Sequence, residues 1–246
     1  MREATSLLIH GVLGAPTLPD EIVRSVQGQP VVLLRVEEAG LWAAVSRLSD
    51  PSRVQPPKVA DALAYHRALQ ALHLCATVLP LRYGTVARGA AEVRALLTAQ
   101  KDAYRALLAQ LTGCHEFGVR AQTEPPGTRP DAAAGGSGEA ALRSGASYLR
   151  ARREVYKAEE CAKRAVDALV ERLGTELGAC SRAVYAQHRP SPAGQSSEPV
   201  LSMSFLVARE DEPAFRERFA ALSQREPQRL QLLGPWPPYS FLSPAA

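Results

Sequence analysis

Pro80 and Gly84 interrupt the chain between two long helical patterns, and whatever fold forms has to accommodate that break. Pro80 cannot continue a helix, because it lacks an N–H and its ring clashes with the preceding turn. It also pushes Leu79 toward extended backbone. Gly84 admits a turn that a side chain would forbid. The stretch Thr77-Val-Leu-Pro-Leu-Arg-Tyr-Gly-Thr-Val86 is therefore a sharp apolar connection carrying one cation, Arg82, between Leu81 and Tyr83. A guanidinium in such a run either reaches water along its own stem or is held by the fork of a carboxylate. Two readings follow for Arg82 and Tyr83: a connection between helices with one satisfied arginine, or a contact for a ligand or partner.

The elements around this break read in order. Residues 4–13 form a strand that ends at Gly14. Asp20 caps a short helix through about Val26, and Gly28 closes it. The apolar runs Pro30–Val36 and Leu41–Ser46, joined by Glu37-Glu-Ala-Gly40, make a hairpin. Val59 to about Val78 is helical, with His66 and His73 seven residues apart on one face. These two histidines are a core or rim pair on one reading and a ligand pair on the other. Glu92 to Leu111 reads as one further helix, since Val93, Leu96, Leu97, Tyr104, Leu107, Leu108 and Leu111 recur at helical spacing.

From Cys114 onward the pattern changes. A strand over Cys114–Arg120 is followed by a Pro, Gly, Ala and Thr-rich segment, Thr123 to Gly138, that has little to bury and is expected to be a mobile loop. A long helix runs from about Glu139 to Leu177. A strand over Ala179–Gln187, a second loop over Arg189–Pro199 and a strand over Val200–Val207 come next. A helix from Asp211 or Glu212, with Pro213 in its first turn, leads into a last strand, Arg229–Leu233. The order strand, helix, strand, strand, helix, strand is that of the ferredoxin-like split βαβ arrangement. The fold class is thus α+β with two domains, 1–112 and 113–246. The chain continues through Gly234-Pro-Trp-Pro-Pro-Tyr-Ser-Phe-Leu242, where prolines stiffen the backbone and Trp236, Tyr239 and Phe241 carry large apolar area. Such a tail either packs on its own protein, with Trp236 as a core residue, or serves as a ligand for another.

Composition sets the outer bounds. The 46% hydrophobic and 22% charged content is that of a folded globular chain. A formal charge of +4, from 29 basic and 25 acidic residues with the signs interspersed, is too mild to argue for nucleic acid. No apolar run approaches the roughly 18–20 residues of a membrane helix, and the first residues lack the pattern of a signal peptide, so a cytoplasmic location is expected. Cys75, Cys114, Cys161 and Cys180 form no C-x-x-C pair and no zinc spacing; they read as buried free thiols, with no metal or cofactor site. No nucleophile elbow, P-loop, dinucleotide fingerprint or zinc-protease motif is present, so no enzyme is expected. Ser46, Asp61 and His66 can be assembled into a triad on paper, as can such sets in any chain of this size.

Several of these stretches together resemble a known family. Leu79-Pro-Leu-Arg-Tyr-Gly-Thr85, His66 upstream, Gly113 to Val119 downstream, Gly145-Ala-Ser-Tyr-Leu149, and Gly234-Pro-Trp-Pro-Pro-Tyr-Ser-Phe241 occur in the order of the gas vesicle protein F/L family. The resemblance spans nearly the whole chain. It implies an accessory or minor structural protein of gas vesicle assembly that binds the small hydrophobic main shell protein and other accessory proteins, in the cytoplasm and associated with gas vesicles. It also implies a two-domain architecture with a modified ferredoxin-like second domain, and no catalytic residues. The alternative that the pattern alone leaves open is a small-molecule-binding regulatory protein, since ferredoxin-like domains host many functions.

Overall fold

The computed structural model describes residues 6–16, 23–54, 56, 58–122, 145–189 and 200–242. Two compact units emerge: Met1–Phe117 with Leu206–Glu210 and Gly234–Ala246, and Gly118–Phe205 with Asp211–Leu233.

The first unit is built on strand β1, Leu7–Leu13, every residue of which is buried. A strand covered on both faces reads as a continuous apolar run instead of an alternation, and Leu-Leu-Ile-His-Gly-Val-Leu is such a run. β2 (Val31–Val36) and β3 (Leu41–Arg47) form the expected hairpin, closed by a 3-10 turn over Glu37–Ala39 and by Gly40 in the left-handed region (φ 59°). β4 (Val78–Pro80) and β5 (Val86–Ala87) both pair antiparallel with β1, which gives the order β2-β3-β1-β4. β1 meets β3 with one irregularity: Ile9 faces Val45 and Gly11 faces Ala44, so His10 is the extra residue of a bulge. Gly11 lies opposite Pro80, and a Cβ at that position would sit 2.7 Å from the Leu79 carbonyl oxygen. Glycine is required there by close approach, and Pro80 is tolerated because β4 lies at the end of the path.

Helix α1, Val59–Cys75, packs Tyr65, Leu69 and Leu72 into a core with Leu8, Leu13 and Val78. The stretch read as one helix over Glu92–Leu111 is two, α2 (Ala90–Ala99) and α3 (Lys101–Leu111), separated at Gln100 (φ −119°, ψ 18°). No proline or glycine marks this break, and the apolar spacing runs through it. The two segments have different neighbours, α2 against β1, β2 and β3 and α3 against β4, and one straight helix does not serve both. The helix expected to run to Val26 is absent over residues 23–25, where Arg24 bridges Pro30 and only Val26–Gly28 makes a 3-10 turn; its expected start lies outside the described residues.

The remaining elements are β6 (Cys114–Gln122), α4 (Gly145–Gly178), β7 (Ala183–Arg189), β8 (Val200–Ala208), α5 (Glu212–Arg225) and β9 (Arg229–Trp236). The sheet order is β9-β6-β8-β7, the fourth, first, third and second strands of a ferredoxin-like unit, with antiparallel pairing. α4 buries Leu169, Leu173 and Leu177 completely, the four-residue spacing that puts one row against a sheet. Phe215 of α5 lies 5.5 Å from Phe205 of β8, ring centre to ring centre. Arg172 of α4 grips Glu226 beyond α5 with two bonds of 2.8 and 2.9 Å. The Thr123–Gly138 loop and most of the Arg189–Pro199 loop lie outside the described residues. No helix among the described residues is long and apolar enough to cross a membrane.

Candidate functional site

The Pro80–Gly84 break is held by backbone. Leu81 N–H donates to the His10 carbonyl (2.9 Å), Ile9 N–H to Thr85 (2.9 Å), and Thr85 returns its N–H and hydroxyl to the Arg82 carbonyl at 3.1 and 2.7 Å. Gly84 takes φ 90°, the left-handed turn that its lack of a side chain permits. These bonds leave the Arg82 side chain exposed, and no carboxylate among the described residues closes on it. Tyr83 turns inward and meets Tyr65 edge-on at 5.2 Å. Its hydroxyl is buried without a hydrogen-bond partner among the described residues, and burial followed by the nearby Asp61 raises its pKa. The Tyr65 hydroxyl lies 2.9–3.2 Å from three carbonyl oxygens, of Ile9, His10 and Leu81. It has one hydrogen to give, so it serves them in turn.

The tail beyond β9 is seated on the same unit. Gly234, with φ 110° and a Cβ position 2.7 Å from the Glu116 carbonyl, starts it. Pro237 and Pro238 are buried, whereas Trp236 and Phe241 are half-buried, so the centre of the tail is its proline pair and not Trp236. Tyr239 stacks on His66 of α1 (5.9 Å), its hydroxyl 3.1 Å from Nδ1. Ser240 donates its N–H and hydroxyl to the two oxygens of Glu116, at 2.8 and 2.7 Å. Burial, then the Glu116 charge, push the Tyr239 phenol up, and burial lowers His66.

His66 and His73 share a helix face but not a purpose. His73 Nε2 meets His115 Nδ1 at 2.9 Å in a buried pair, while Arg209 donates to the His73 carbonyl at 2.6 Å. Burial foremost, then the neighbouring His115 and Arg209, take His73 down to about 3. The paper triad does not assemble: Ser46 Oγ is 2.9 Å from Nε2 of His10, the bulged residue, and His66 is with Tyr239. His10 is fully buried, its Nδ1 has no partner among the described residues, and burial brings its pKa to about 3. Of the four thiols only Cys114 is buried; Cys75 and Cys161 are exposed. The sites that sequence reading missed are Glu116, His115 and His10. A carboxylate inside the apolar run Cys114–Val119 was the available signal, since a buried charge needs a partner.

A family model described as "Gas vesicle synthesis protein GvpL/GvpF" matches residues 6–243. "Gas vesicle protein L" of Streptomyces sp. (strain CB03234) is 37% identical over 188 residues, covering 74% of this chain and 69% of that protein. The crystal structure of GvpF from Anabaena sp. PCC7120 superposes with a TM-score of 0.72 at 17% identity, over 98% of both chains. GvpF from Microcystis aeruginosa gives 0.72 and 17%, over 97% of this chain and 99% of that one. At such identity these two structures speak for the fold.

Proposed function

The chain belongs to the gas vesicle synthesis protein GvpL/GvpF family, and from that premise we propose that it serves gas vesicle assembly through its surfaces, as a non-enzymatic accessory protein that binds the main shell protein and other accessory proteins in the cytoplasm. The observation that carries this reading is an apolar row on α1 turned away from the core: Val59, Leu63 and Leu74 are 78%, 49% and 70% exposed. Residues 59, 63, 67, 70 and 74 follow the helical repeat, so the row lies along one side of α1, with Arg67 and Gln70 between its apolar ends. Each leucine covered by a partner contributes about 1.5–3 kcal/mol, and a small hydrophobic shell subunit is the partner that such a row suits. Arg82, exposed on a loop fixed by backbone bonds, is the second contact candidate. Tyr83, Trp236, Tyr239 and Phe241 fall on the structural side of the same proposal, because each is at least half-covered by its own protein.

Co-expression with the main shell protein tests it. The double variant Leu63→Asp/Leu74→Asp should lose capture of the shell protein while its melting temperature holds, since both side chains are exposed. Undiminished capture by the folded double variant, and by Arg82→Ala, would overturn the assignment of the surface.

A further inference from the structure

The outward side of α1 is short of charge. At about 100° per residue, residues 59, 60, 63, 67, 70, 71 and 74 fall within a sector of about 120°. That sector faces away from the buried Tyr65, Ala68, Leu69, Leu72 and His73. An outward helix face is ordinarily polar, yet this one holds valine, alanine and leucine around a single glutamine and a single charge, Arg67. Arg67 is exposed, and no hydrogen bond or ion pair reaches its guanidinium among the described residues. The helix has one carboxylate, Asp61, which lies round the helix near Tyr83. From Val59 to Leu74 the row runs about 22 Å, and Arg67 stands at its middle. Ala60 and Ala71 beside it are small, so a second helix can approach closely.

Resting on the assignment of this row to shell-protein binding, we propose that it seats an amphipathic helix of the partner. Arg67 selects that helix by pairing with a carboxylate set midway along its aliphatic stripe. A helix offers a partner side-chain ridges at four-residue spacing and no open backbone ladder, and the grooves of another helix match such ridges. Covering the row takes the guanidinium out of water, and a charge so covered is costly unless an opposite charge meets it. A helix with aliphatic residues alone leaves Arg67 without a partner. One with a centred Asp or Glu presents the geometry that the planar guanidinium fork fits. The same charge disfavours a second copy of this chain. Two copies of the row packed across a two-fold axis bring one Arg67 against the other, because it is the midpoint of residues 59–74.

The test co-expresses the full-length chain with the main shell protein, as wild type, Arg67→Glu, Arg67→Gln and Leu63→Asp/Leu74→Asp. Capture by Arg67→Glu should fall about tenfold at an unchanged melting temperature, since repulsion replaces attraction. Reversing one carboxylate of the shell protein to lysine should restore capture by Arg67→Glu and weaken it for wild type. An arginine with a merely structural role gives no such exchange. Raising salt from about 0.1 to 0.5 M should weaken capture by wild type more than by Arg67→Gln. Should Arg67→Glu not fold, that comparison decides, and equal salt dependence overturns the pairing. Loss of capture by the double variant alone, with Arg67→Glu at the wild-type level, overturns the role of Arg67 and leaves the row in place. Full capture by both variants overturns the row and Arg67 together. Capture lost in Arg67→Glu that no single carboxylate reversal restores also sinks the pairing. So does a concentration-dependent dimer in sedimentation that Arg67→Gln strengthens and the shell protein does not dissociate, since the occupant is then a second copy.

Discussion

Glu116 shows how one side chain organises a segment far from it in sequence. Its carboxylate accepts both donors of Ser240, 124 residues away, and so holds the tail by two bonds at once. A hydrogen bond to a charged group contributes about 1.5–3 kcal/mol. Ser240→Ala should therefore cost roughly that much in urea unfolding, and Glu116→Leu more, because the Ser240 N–H is then left without its acceptor. A Ser240→Ala midpoint equal to wild type would show that the seat is made by Pro237, Pro238 and Tyr239 instead. His10 and His73 predict a pH dependence. Each is held neutral in the fold with a pKa near 3, whereas the unfolded chain titrates near 6.5. Between these values the unfolded state binds more protons, so stability falls as pH drops from about 6.5 toward 3, by up to about 1.4 kcal/mol per pH unit per histidine. Melting curves from pH 7 to 4 should show a shallower slope for His73→Asn than for wild type; parallel slopes would contradict the buried neutral pair. Arg82 behaves oppositely to an anchored arginine: exposed, and with no carboxylate on it among the described residues, its change to alanine should move stability by no more than about 0.5 kcal/mol.

Among the elements, β1 and β4 are locked by a glycine. Gly11→Ala drives a methyl group to 2.7 Å from the Leu79 carbonyl oxygen and 2.7 Å from Val78 Cγ2. Backbone cannot yield as a flexible side chain does, so the expected loss is about 1–3 kcal/mol, read as a lowered melting temperature; an unchanged value would mean that β4 is free to slide. In the second unit the Leu169, Leu173 and Leu177 row of α4 carries the helix onto its sheet, and Leu173→Ala should cost about 2–5 kcal/mol as a buried truncation. The α2–α3 break is the element-scale feature that local pattern conceals. Val93, Leu97, Tyr104, Leu108 and Leu111 keep one helical phase across Gln100, and only the separate strands beneath the two halves require the chain to bend there.

At the scale of the molecule, the first unit is not a contiguous stretch. It closes on itself with residues 206–210 and the tail from Gly234. Arg209 supplies a bond to the end of α1, His115 a partner for His73, and Tyr239 a cover for His66. A fragment ending at Thr112, the boundary that the helical pattern proposes, lacks all three. Expressed alone it should exchange its α1 amides far faster than the full chain does. Deleting residues 237–246 should likewise raise exchange in α1 and at Cys114–Phe117 while leaving α5 unaltered. Equal protection of α1 in the fragment and the full chain would favour the contiguous domain.

The sequence by itself determined what depends on near neighbours. The continuous apolar run of β1, the Gly40 connection of the hairpin, the 3.6-residue leucine row of α4 and the strand–helix order from Cys114 are all local signals, and the ferredoxin-like order could be written down from them. Motifs spread along the chain, from Leu79–Thr85 to Gly234–Phe241, brought the family within reach as well. Tertiary structure alone decided the site. The bulge that sends His10 to Ser46, the pairing of His73 with His115 instead of with His66, and the seating of Ser240 on Glu116 join residues 36, 42 and 124 positions apart. No local repeat encodes such contacts. They are selected because a polar group carried into the core by its own strand or helix must find a partner there, and which partner is in reach depends on how the elements pack.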